Sequence, residues 1–232
     1  MKKIIILPVL NESETIPAVV GKIIQTIPDI DILFIDDNSK DGSKEILQEL
    51  EKNSENIKVL HRPERLGLAS AYIMGFKYAI NHGYEIVTQM DSDLSHDPAC
   101  LAEFYSKIKD CDFVVGSRYV DGGKVVNWNA FRRAISKAGN LYARTILGKG
   151  ISDYTGGYNT WRTDVLKRID PDQLRSQGYS FLIELKYKAI CQGYSCIEIP
   201  IIFSERKAGK SKMGSRIILE AIWRVWSFKI RR

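Results

Sequence analysis

Two carboxylates one residue apart are the side chains in this sequence whose types and spacing most directly predict chemistry. Asp91 and Asp93 follow an apolar run, 86–88, that is typical of a buried strand. Ligands of open α/β sheets bind outside the carboxyl ends of the strands, so this pair would lie where such a fold does chemistry. Two carboxylates at this spacing can share one hard cation, Mg²⁺ or Mn²⁺, which take few protein ligands and also bind substrate phosphates. The alternative for an isolated pair is a strand-end turn with two solvated acids.

The surrounding pattern predicts a sheet that would position the pair. Apolar runs alternate with helical periodicity through residue 116, which is typical of a mostly parallel α/β fold flanked by helices. We predict strands over residues 4–7, 32–35, 57–60, 86–90 and 113–116, with helices near 16–24, 45–50, 69–81 and 98–108. The pattern then changes to a loop over 121–129, a helix with Arg132, a polar turn at 153–158, a helix from 178 and an apolar strand over 196–203. Neither a G-x-G-x-x-G after the first strand nor a P-loop is present, so dinucleotide-binding and NTPase functions lack their motifs.

Composition indicates one large domain, or a domain with an appendage, in a globular chain of 232 residues. No apolar stretch approaches the roughly 20 residues that span a bilayer, and the first apolar run is too short for a signal core. The four cysteines form no C-x-x-C pair, so we expect reduced core thiols. We therefore expect a cytoplasmic protein.

Positive charge is concentrated at the carboxyl end. Residues 206–232 contain nine lysines and arginines and one glutamate, a net charge of +8, which leaves residues 1–205 at −2 of the total of +6. Such a segment favours an anionic partner: phosphates or a membrane surface. We expect no nucleic acid partner, because no binding motif accompanies the charge.

The last segment, 215–232, has the pattern of an amphipathic basic helix. A polar stripe runs through Arg216, Glu220, Arg224, Ser227 and Arg231, and the wide apolar remainder includes Trp223 and Trp226. A helix of this kind suits the membrane interface, where it would lie in the plane. The alternatives are packing on a small membrane partner subunit and an ordinary core helix.

Several motifs together resemble a known family. In the first part, Pro8-x-Leu10-Asn11-Glu12, Asp36-Asp37-x-Ser39-x-Asp41-Gly42 and Asp91-x-Asp93 are similar to the nucleotide-sugar-binding half of inverting glycosyltransferases of the GT-A fold. In the second part, the motifs are Gly116-Ser117-Arg118-Tyr119, Arg132-x-x-x-Ser136, Asp153-x-Thr155-Gly156, Gly178-Tyr179 and Glu205-Arg206-x-x-Gly209-x-Ser211-Lys212. From about residue 4 to residue 214 they resemble the short dolichol-phosphate mannose synthases, which have no transmembrane helices.

The resemblance implies a GT-A (Rossmann-like) catalytic domain over residues 1–214, followed by the helix at 215–232. It implies transfer of mannose from GDP-mannose to dolichyl or polyprenyl phosphate, with inversion and a divalent metal, on the cytoplasmic face of a membrane. Asp91 and Asp93 would bind Mg²⁺ or Mn²⁺, and Asp93 and Arg206 would be the catalytic residues. The donor-binding residues would be Pro8, Leu10, Glu12, Ile35, Asp37, Asp91, Ser92, Asp93, Arg206 and Lys212.

The resemblance also implies that Arg118, Arg132 and Ser136 bind the acceptor phosphate. Ser136 follows Arg132 by one helical turn, so both lie on one side of a helix. A phosphate monoester is already anionic at neutral pH and needs no general base, but it must be bound and aimed. A salt-bridged amphipathic helix is the alternative for Arg132 and Ser136.

Two departures from the family pattern affect the donor site. Leu10 stands where the family often has an aromatic residue, which weakens stacking on the nucleoside, and Ser95 stands where some relatives carry a glutamine as a further metal contact. Two other functions stay open: a polyprenyl-phosphate glucosyltransferase using UDP-glucose, and a non-catalytic subunit that binds a lipid-linked sugar. The second would be expected to lack the carboxylate pair.

Overall fold

The structure is a computed structural model that describes residues 1–148, 150–205 and 215–230. The strands in these residues are β1 (Lys3–Val9), β2 (Asp31–Asp36), β3 (Ile57–His61), β4 (Ile86–Gln89), β5 (Phe113–Ser117), β6 (Lys124–Val125), β7 (Asn159–Arg162), β8 (Cys196–Pro200) and β9 (Ile202–Phe203). The α-helices are α1 (Ile16–Thr26), α2 (Ser43–Asn53), α3 (Leu68–Asn81), α4 (Leu101–Lys107), α5 (Ala130–Leu147), α6 (Thr163–Ile169), α7 (Gly178–Cys191) and α8 (Ser215–Ile230). Short 3₁₀ helices cover Pro98–Cys100 and Pro171–Gln173.

The main sheet has seven strands in the order β3-β2-β1-β4-β7-β5-β8. The pairs β1–β2, β1–β4, β2–β3 and β5–β8 are parallel, whereas β7 runs antiparallel to both of its neighbours. This arrangement confirms the prediction of a mostly parallel α/β sheet. The chain moves outward from β1 to β3 on one side and continues with β4 on the other, so the order of strands reverses at β1 and β4. Ligands of open α/β sheets bind at such a switch point, beyond the carboxyl ends of the strands.

Alternating side chains of β1 supply both faces of the sheet. Ile5 and Leu7 pack in one core cluster with buried residues of α1, α2 and α4, and Ile4 and Ile6 pack in another with residues of α3, α6 and α7. A fully buried isoleucine or leucine contributes roughly 1.5–3 kcal/mol. A strand buried on both faces reads as a continuous apolar run, which is why β1 was predictable from the sequence.

Strand β7 and helix α6 were not predicted. Asn159, Thr160 and Trp161 are fully buried but mostly polar, so β7 has no apolar alternation. Side chains on β4 instead provide hydrogen-bond partners for the polar groups of β7. Trp161 Nε1 donates to Gln89 Oε1 at 2.8 Å, and the hydroxyls of Thr88 and Thr160 share a hydrogen bond of 2.8 Å.

The region after β5 differs from the prediction in two further details. The predicted loop over 121–129 contains β6, and the predicted strand over 196–203 is divided into β8 and β9. Strand β8 extends the main sheet beside β5, while β9 pairs with β6 in a separate two-stranded sheet. The second sheet brings the chain just before residue 206 over the carboxyl ends of β4 and β5, where Ser204 N donates to Ser95 O at 3.2 Å.

The predicted helix at the carboxyl end is present over residues 215–230. Val225 on α8 is buried in a third cluster with residues of α5 and α7, and Phe228 packs against it. Trp223, Trp226 and Ile230 are exposed. Of the helices in the described ranges, none is both long and apolar enough to cross a membrane.

Candidate active site

The carboxylate pair lies in a tight turn directly after β4. Leu94 adopts a positive φ of 62°, and Ser95 N donates to Asp93 Oδ1 at 3.0 Å, which closes the turn. Ser92 Oγ donates to the carbonyl of Pro8 at 2.9 Å and ties the turn to β1. Asp93 is buried, whereas the side chain of Asp91 is 34% exposed. The turn therefore holds one carboxylate inside the fold and presents the other toward solvent at the switch point.

Two buried aromatic side chains, His96 and Tyr72, form hydrogen bonds with Asp91. The backbone N–H of Asp91 donates to His96 Nδ1 at 3.0 Å, so this nitrogen carries a lone pair. Burial lowers the pKa of His96, although the charges of Asp91 and Asp93 oppose the shift, and the ring is neutral at pH 7. Tyr72 OH donates to Asp91 Oδ1 at 3.4 Å, and burial followed by the charge of Asp91 raises the pKa of Tyr72 well above its usual value. His96 is close to the carboxylate pair along the chain, whereas nothing in the sequence indicates that Tyr72 contacts Asp91.

The carboxylate pair fits a divalent cation. Both groups offer hard oxygen ligands on one turn, and Asp91 is accessible from solvent. Within the described parts of the chain, no three His, Cys, Asp or Glu side chains converge as a metal site. Asp91 and Asp93 would hold the ion, and Mg²⁺ and Mn²⁺ sites commonly keep further positions for water and for substrate phosphates.

Asp37, a predicted donor-binding residue, organises the loop between β3 and α3. It forms a buried ion pair with Arg62, and its carboxylate accepts the backbone N–H groups of Leu66 at 2.7 Å and Gly67 at 2.9 Å. Arg62 also donates to Gly67 O and to Ser70 Oγ. Arg65 in the same loop is exposed, and Arg62 is the buried arginine that pairs with Asp37.

The other predicted nucleoside contacts lie along the carboxyl ends of β1 and β2. Pro8 and Ile35 are opposite one another in the register of these strands. Beyond them the two loops are tied together: Glu12 N donates to Ser43 Oγ at 2.9 Å, and Lys40 N donates to Asn11 Oδ1 at 2.7 Å.

The half-buried Leu10 lies in the same loop as Glu12, which is buried. The structure thus brings Pro8, Leu10, Glu12 and Ile35 to one edge of the sheet, and Pro8 contacts the turn of the carboxylate pair through Ser92.

Arg118, predicted to bind the acceptor phosphate, is a buried residue with a two-point ion pair. Its Nε and Nη2 atoms donate to the two carboxylate oxygens of Asp153 at 2.8 and 2.9 Å, and Nη2 also donates to Thr155 Oγ1 at 2.7 Å. Burial raises the pKa of Asp153, but the charge and hydrogen bonds of Arg118 outweigh it and hold this pKa well below its usual range. The guanidinium is therefore rigidly oriented before any ligand arrives.

Arg132 and Ser136 lie on α5, and aromatic rings connect both of them to Arg118. Ser136 Oγ and Tyr119 OH share a hydrogen bond of 2.7 Å, and the guanidinium of Arg118 lies 5.3 Å from the ring centroid of Tyr119. The guanidinium of Arg132 lies 4.1 Å from the ring centroid of Trp128 and pairs with Glu205 at 3.0 Å. The three predicted acceptor residues thus belong to one connected region.

Phe203 joins this region to the carboxylate pair. Its ring lies 5.6 Å from the guanidinium of Arg118, meets Trp128 edge-on at 5.5 Å, and meets His96 edge-on at 5.3 Å. Because His96 accepts from the backbone of Asp91, the side chains of His96 and Phe203 together connect Asp91 to Arg118. The arrangement suits the displacement of an anionic leaving group from a carbon atom by a second anion held near Arg118, with the carboxylate pair as the residues that would hold a cation for the leaving group.

Two predicted donor-binding residues, Arg206 and Lys212, lie outside the described residues. Glu184 on α7 is buried and accepts the backbone N–H groups of Arg175 and Ser176, the latter at 2.9 Å. That carboxylate fixes the segment leading into α7.

Comparison with known proteins gives the family. Residues 4–170 match the family described as Glycosyl transferase family 2. The chain belongs to this family. It is therefore a glycosyltransferase, and the predicted family resemblance is confirmed.

Two curated bacterial relatives align with nearly the whole family-2 chain. The undecaprenyl-phosphate mannosyltransferase of Micrococcus luteus is 38% identical over 233 residues, covering 100% of this chain and 96% of the relative. The polyprenol monophosphomannose synthase of Mycolicibacterium smegmatis is 40% identical over 232 residues, covering 99% of this chain and 88% of the relative.

Solved structures of low sequence identity share the fold. The mannosyltransferase PcManGT from Pyrobaculum calidifontis, solved with GDP-Man and Mn²⁺, has a TM-score of 0.66 at 17% identity, over 100% of this chain and 64% of that one. Glucosyl-3-phosphoglycerate synthase from Mycobacterium tuberculosis, solved with Mn²⁺, UDP and glucosyl-3-phosphoglycerate, has a TM-score of 0.68 at 16% identity, over 98% and 79% of the two chains. These neighbours confirm the predicted GT-A-like α/β fold.

Proposed function

We propose that this glycosyltransferase transfers mannose from GDP-mannose to a polyprenyl phosphate and inverts the anomeric carbon. The support closest to the chemistry is the connection from the Asp91–Asp93 turn through His96 and Phe203 to Arg118. That connection supports a model in which a diphosphate would bind beside a second phosphate. The relatives named for mannosyl transfer to polyprenyl phosphates extend over nearly the whole chain and support the choice of substrates.

The donor would lie along the carboxyl ends of β1, β2 and β4. Pro8, Leu10 and Ile35 would line the base pocket, Glu12 would contact the nucleoside, and Asp91, Ser92 and Asp93 the diphosphate end. Asp37 would act by holding the loop over 62–67, because Arg62 and two backbone N–H groups already surround its carboxylate. A bound Mg²⁺ or Mn²⁺ would act as a Lewis acid on the charge that develops on the leaving diphosphate. Arg206 and Lys212 would add cationic contacts to that diphosphate.

The acceptor phosphate would bind at Arg118, Arg132 and Ser136. Charge-assisted hydrogen bonds from planar guanidinium groups bind phosphate with defined geometry, so these residues would aim one oxygen at the anomeric carbon. No protein base is required, because the phosphate is already ionised. This agrees with the position of Glu184, whose carboxylate is occupied with backbone N–H groups. Attack from the side opposite the diphosphate gives inversion.

The protein would act at the cytoplasmic face of a membrane, where its lipid acceptor lies. Exposed Trp223, Trp226 and Ile230 on α8 and the basic residues of 206–232 suit an interfacial helix next to the catalytic domain over 1–214. Packing of Val225 anchors this helix to α5 and α7. A small membrane partner subunit covering the same exposed side chains is the alternative.

A donor screen tests the proposal. The purified enzyme is incubated with a short polyprenyl phosphate and Mn²⁺ or Mg²⁺, and with either GDP-mannose or UDP-glucose at equal concentration. We expect lipid-linked mannose from GDP-mannose and little product from UDP-glucose. Preferential use of UDP-glucose would establish the glucosyltransferase instead. Binding of a lipid-linked sugar without turnover of either donor would establish a non-catalytic subunit.

A further inference from the structure

Lys186 is a lysine on α7 whose side chain is completely buried. Its Nζ donates to three backbone carbonyls, those of Asp153 at 2.9 Å, Tyr154 at 3.3 Å and Gly156 at 2.6 Å. An ammonium group has three donors, so the three carbonyls match its capacity. Burying a charge is costly unless the group is paired and hydrogen-bonded, and the three carbonyls offset that cost for Lys186.

The carbonyls belong to one turn, residues 153–157, that is also fixed from other sides. The Asp153 carboxylate accepts the backbone N–H groups of Thr155 at 3.2 Å and Gly156 at 2.9 Å. Glu198 accepts the N–H groups at positions 152 and 153, and Asn140 accepts the N–H of Tyr154 at 2.9 Å. Lys186 thus binds three carbonyls of a turn whose N–H groups are held elsewhere, and Asn159 Nδ2 shares one of them, that of Gly156, at 3.2 Å.

This turn reaches both halves of the active site. At its beginning, Asp153 fixes the guanidinium of Arg118. At its end, Gly157 lies beside Asp91: a Cβ at this position would be 3.6 Å from His96 Cε1 and 3.9 Å from Asp91 Oδ1. The turn therefore lies between the donor-side carboxylate Asp91 and the acceptor-side arginine Arg118.

We propose that Lys186 is a positioning residue that sets the distance between Asp91 and Arg118, and thereby aims the acceptor phosphate at the donor. The proposal rests on the proposed function, in which Arg118 binds that phosphate. Lys186 touches neither substrate in this account. It acts through the turn over 153–157.

The charges around Lys186 are consistent with a group held in its ionised form. Burial lowers its pKa to about 8, with Asp153 acting against the shift and Arg118 adding to it. Glu198 and Cys196 also face it and raise the pKa. At pH 7 the ammonium therefore keeps all three donors.

The test compares Lys186→Met with Lys188→Met, a matched lysine on the same helix. Lys188 is partly exposed, donates to Gln173 O and pairs with Glu184 at 3.3 Å, and neither of these partners belongs to the turn. Misplacement of reacting groups by about 1 Å can reduce rates by about 100-fold, so we expect Lys186→Met to reduce kcat about 10- to 100-fold and to raise the acceptor KM. Its affinity for GDP-mannose, measured by calorimetry with Mn²⁺, should stay within about threefold of wild type. Lys188→Met should match wild type in all three measurements.

A double-mutant cycle shows whether Lys186 acts through Arg118. If it does, Lys186→Met combined with Arg118→Lys should lower kcat little further than Arg118→Lys alone, whereas independent effects multiply. Multiplicative effects, or a loss of donor affinity in proportion to the loss of turnover, would overturn the positioning role. If Lys186→Met does not fold, Gly156→Ala tests the same turn, because its Cβ would stand 3.1 Å from Asp153 Oδ2. Unchanged kinetics in Gly156→Ala would also overturn it.

Wild-type enzyme in the same assay separates this inference from the proposed function. If the wild type does not transfer mannose to the polyprenyl phosphate, the proposed function fails. The positioning role is then decided by the crystal structure of Lys186→Met, which needs no substrate. We expect the turn, with Arg118, to be displaced relative to Asp91. An undisplaced turn would overturn the role of Lys186.

Discussion

Arg118 and Asp153 form a buried two-point ion pair in which each carboxylate oxygen of Asp153 receives an N–H of the guanidinium, at 2.8 and 2.9 Å. Such a pair fixes both the position and the plane of the guanidinium. Arg118 is consequently oriented by the protein itself, and its predicted use for an acceptor phosphate depends on that orientation.

Replacement of the two acceptor-side arginines by lysine should impair transfer while donor binding survives. Lysine keeps the charge of Arg118 or Arg132 but loses the planar fork. The loss of one charged hydrogen bond is worth roughly 1.5–3 kcal/mol, so we expect each variant to lose one to two decades in kcat/KM for the acceptor. Transfer kinetics at varied acceptor concentration and calorimetry with GDP-mannose measure the two effects separately. Loss of donor affinity with a normal acceptor response would place these arginines in the donor site.

The same ion pair predicts a loss of stability in acid. The pKa of Asp153 in the folded protein is held well below its unfolded value, so its stabilisation is complete above about pH 4 and declines as the pH falls further. The free energy of unfolding should therefore decrease more steeply below pH 4 in wild type than in Asp153→Asn. The exposed Asp110→Asn serves as the control and should follow wild type. If the free energy of unfolding of wild type and Asp153→Asn fell in parallel below pH 4, the acid sensitivity would not come from this ion pair.

The pair of Asp37 and Arg62 should be important for stability, because both groups are buried. Removing one partner of a buried ion pair leaves the other charge uncompensated and typically costs about 3–5 kcal/mol. We expect Arg62→Met to reduce the free energy of unfolding in urea by this order, and the double variant with Asp37→Asn to lose less than the sum of the two. Arg65→Met, at an exposed position of the same loop, should change it by at most about 0.5 kcal/mol. Equal stabilities of Arg62→Met and Arg65→Met would show that the pair is not structural.

Substitutions on helix α8 should distinguish residues that bind the membrane from residues that stabilise the fold. Trp223 and Trp226 are exposed, whereas Val225 between them is buried against α5 and α7. Replacing both tryptophans by serine should weaken co-sedimentation with anionic vesicles at little cost in stability. Val225→Ala should instead lower the free energy of unfolding by roughly 1–3 kcal/mol and leave co-sedimentation unchanged. High salt should release the wild type, since charges are screened beyond about 10 Å at 0.1 M. Undiminished vesicle binding by the tryptophan variant would indicate that these side chains serve another contact.

Elements with a strong apolar signal were predictable from the sequence, and polar ones were not. The runs that became β1, β2 and β5 are buried on both faces and stand out in the sequence. Strand β7 is buried as well, but it pairs its polar side chains with Gln89 and Thr88, a match that is visible only when both strands are seen together. The split of the last predicted strand at Pro200 depends likewise on which partner strand each half meets.

In the candidate site, the position of the carboxylate pair was predictable from the sequence, but the partners that orient the site were not. The position of Asp91 and Asp93 at a strand end followed from local order along the chain, and the structure bears out that position. The partners that orient the site are distant in sequence: Tyr72 for Asp91, Asp153 for Arg118 and Lys186 for the turn. A lysine in a helix is ordinarily a solvated residue, so nothing local marks Lys186 as buried.

The central claim is metal-dependent transfer of mannose from GDP-mannose to a polyprenyl phosphate, and radiolabelled transfer tests it most directly. Wild type is incubated with GDP-[¹⁴C]mannose, a short polyprenyl phosphate and Mn²⁺, and label in the organic phase is counted beside Asp93→Ala and an EDTA-treated sample. Lewis-acid stabilisation is worth several kcal/mol, so both should lose about 100-fold or more in rate, with the fold of Asp93→Ala intact by circular dichroism. Near-normal transfer by either sample, or absence of lipid-linked mannose with wild type, would contradict the account.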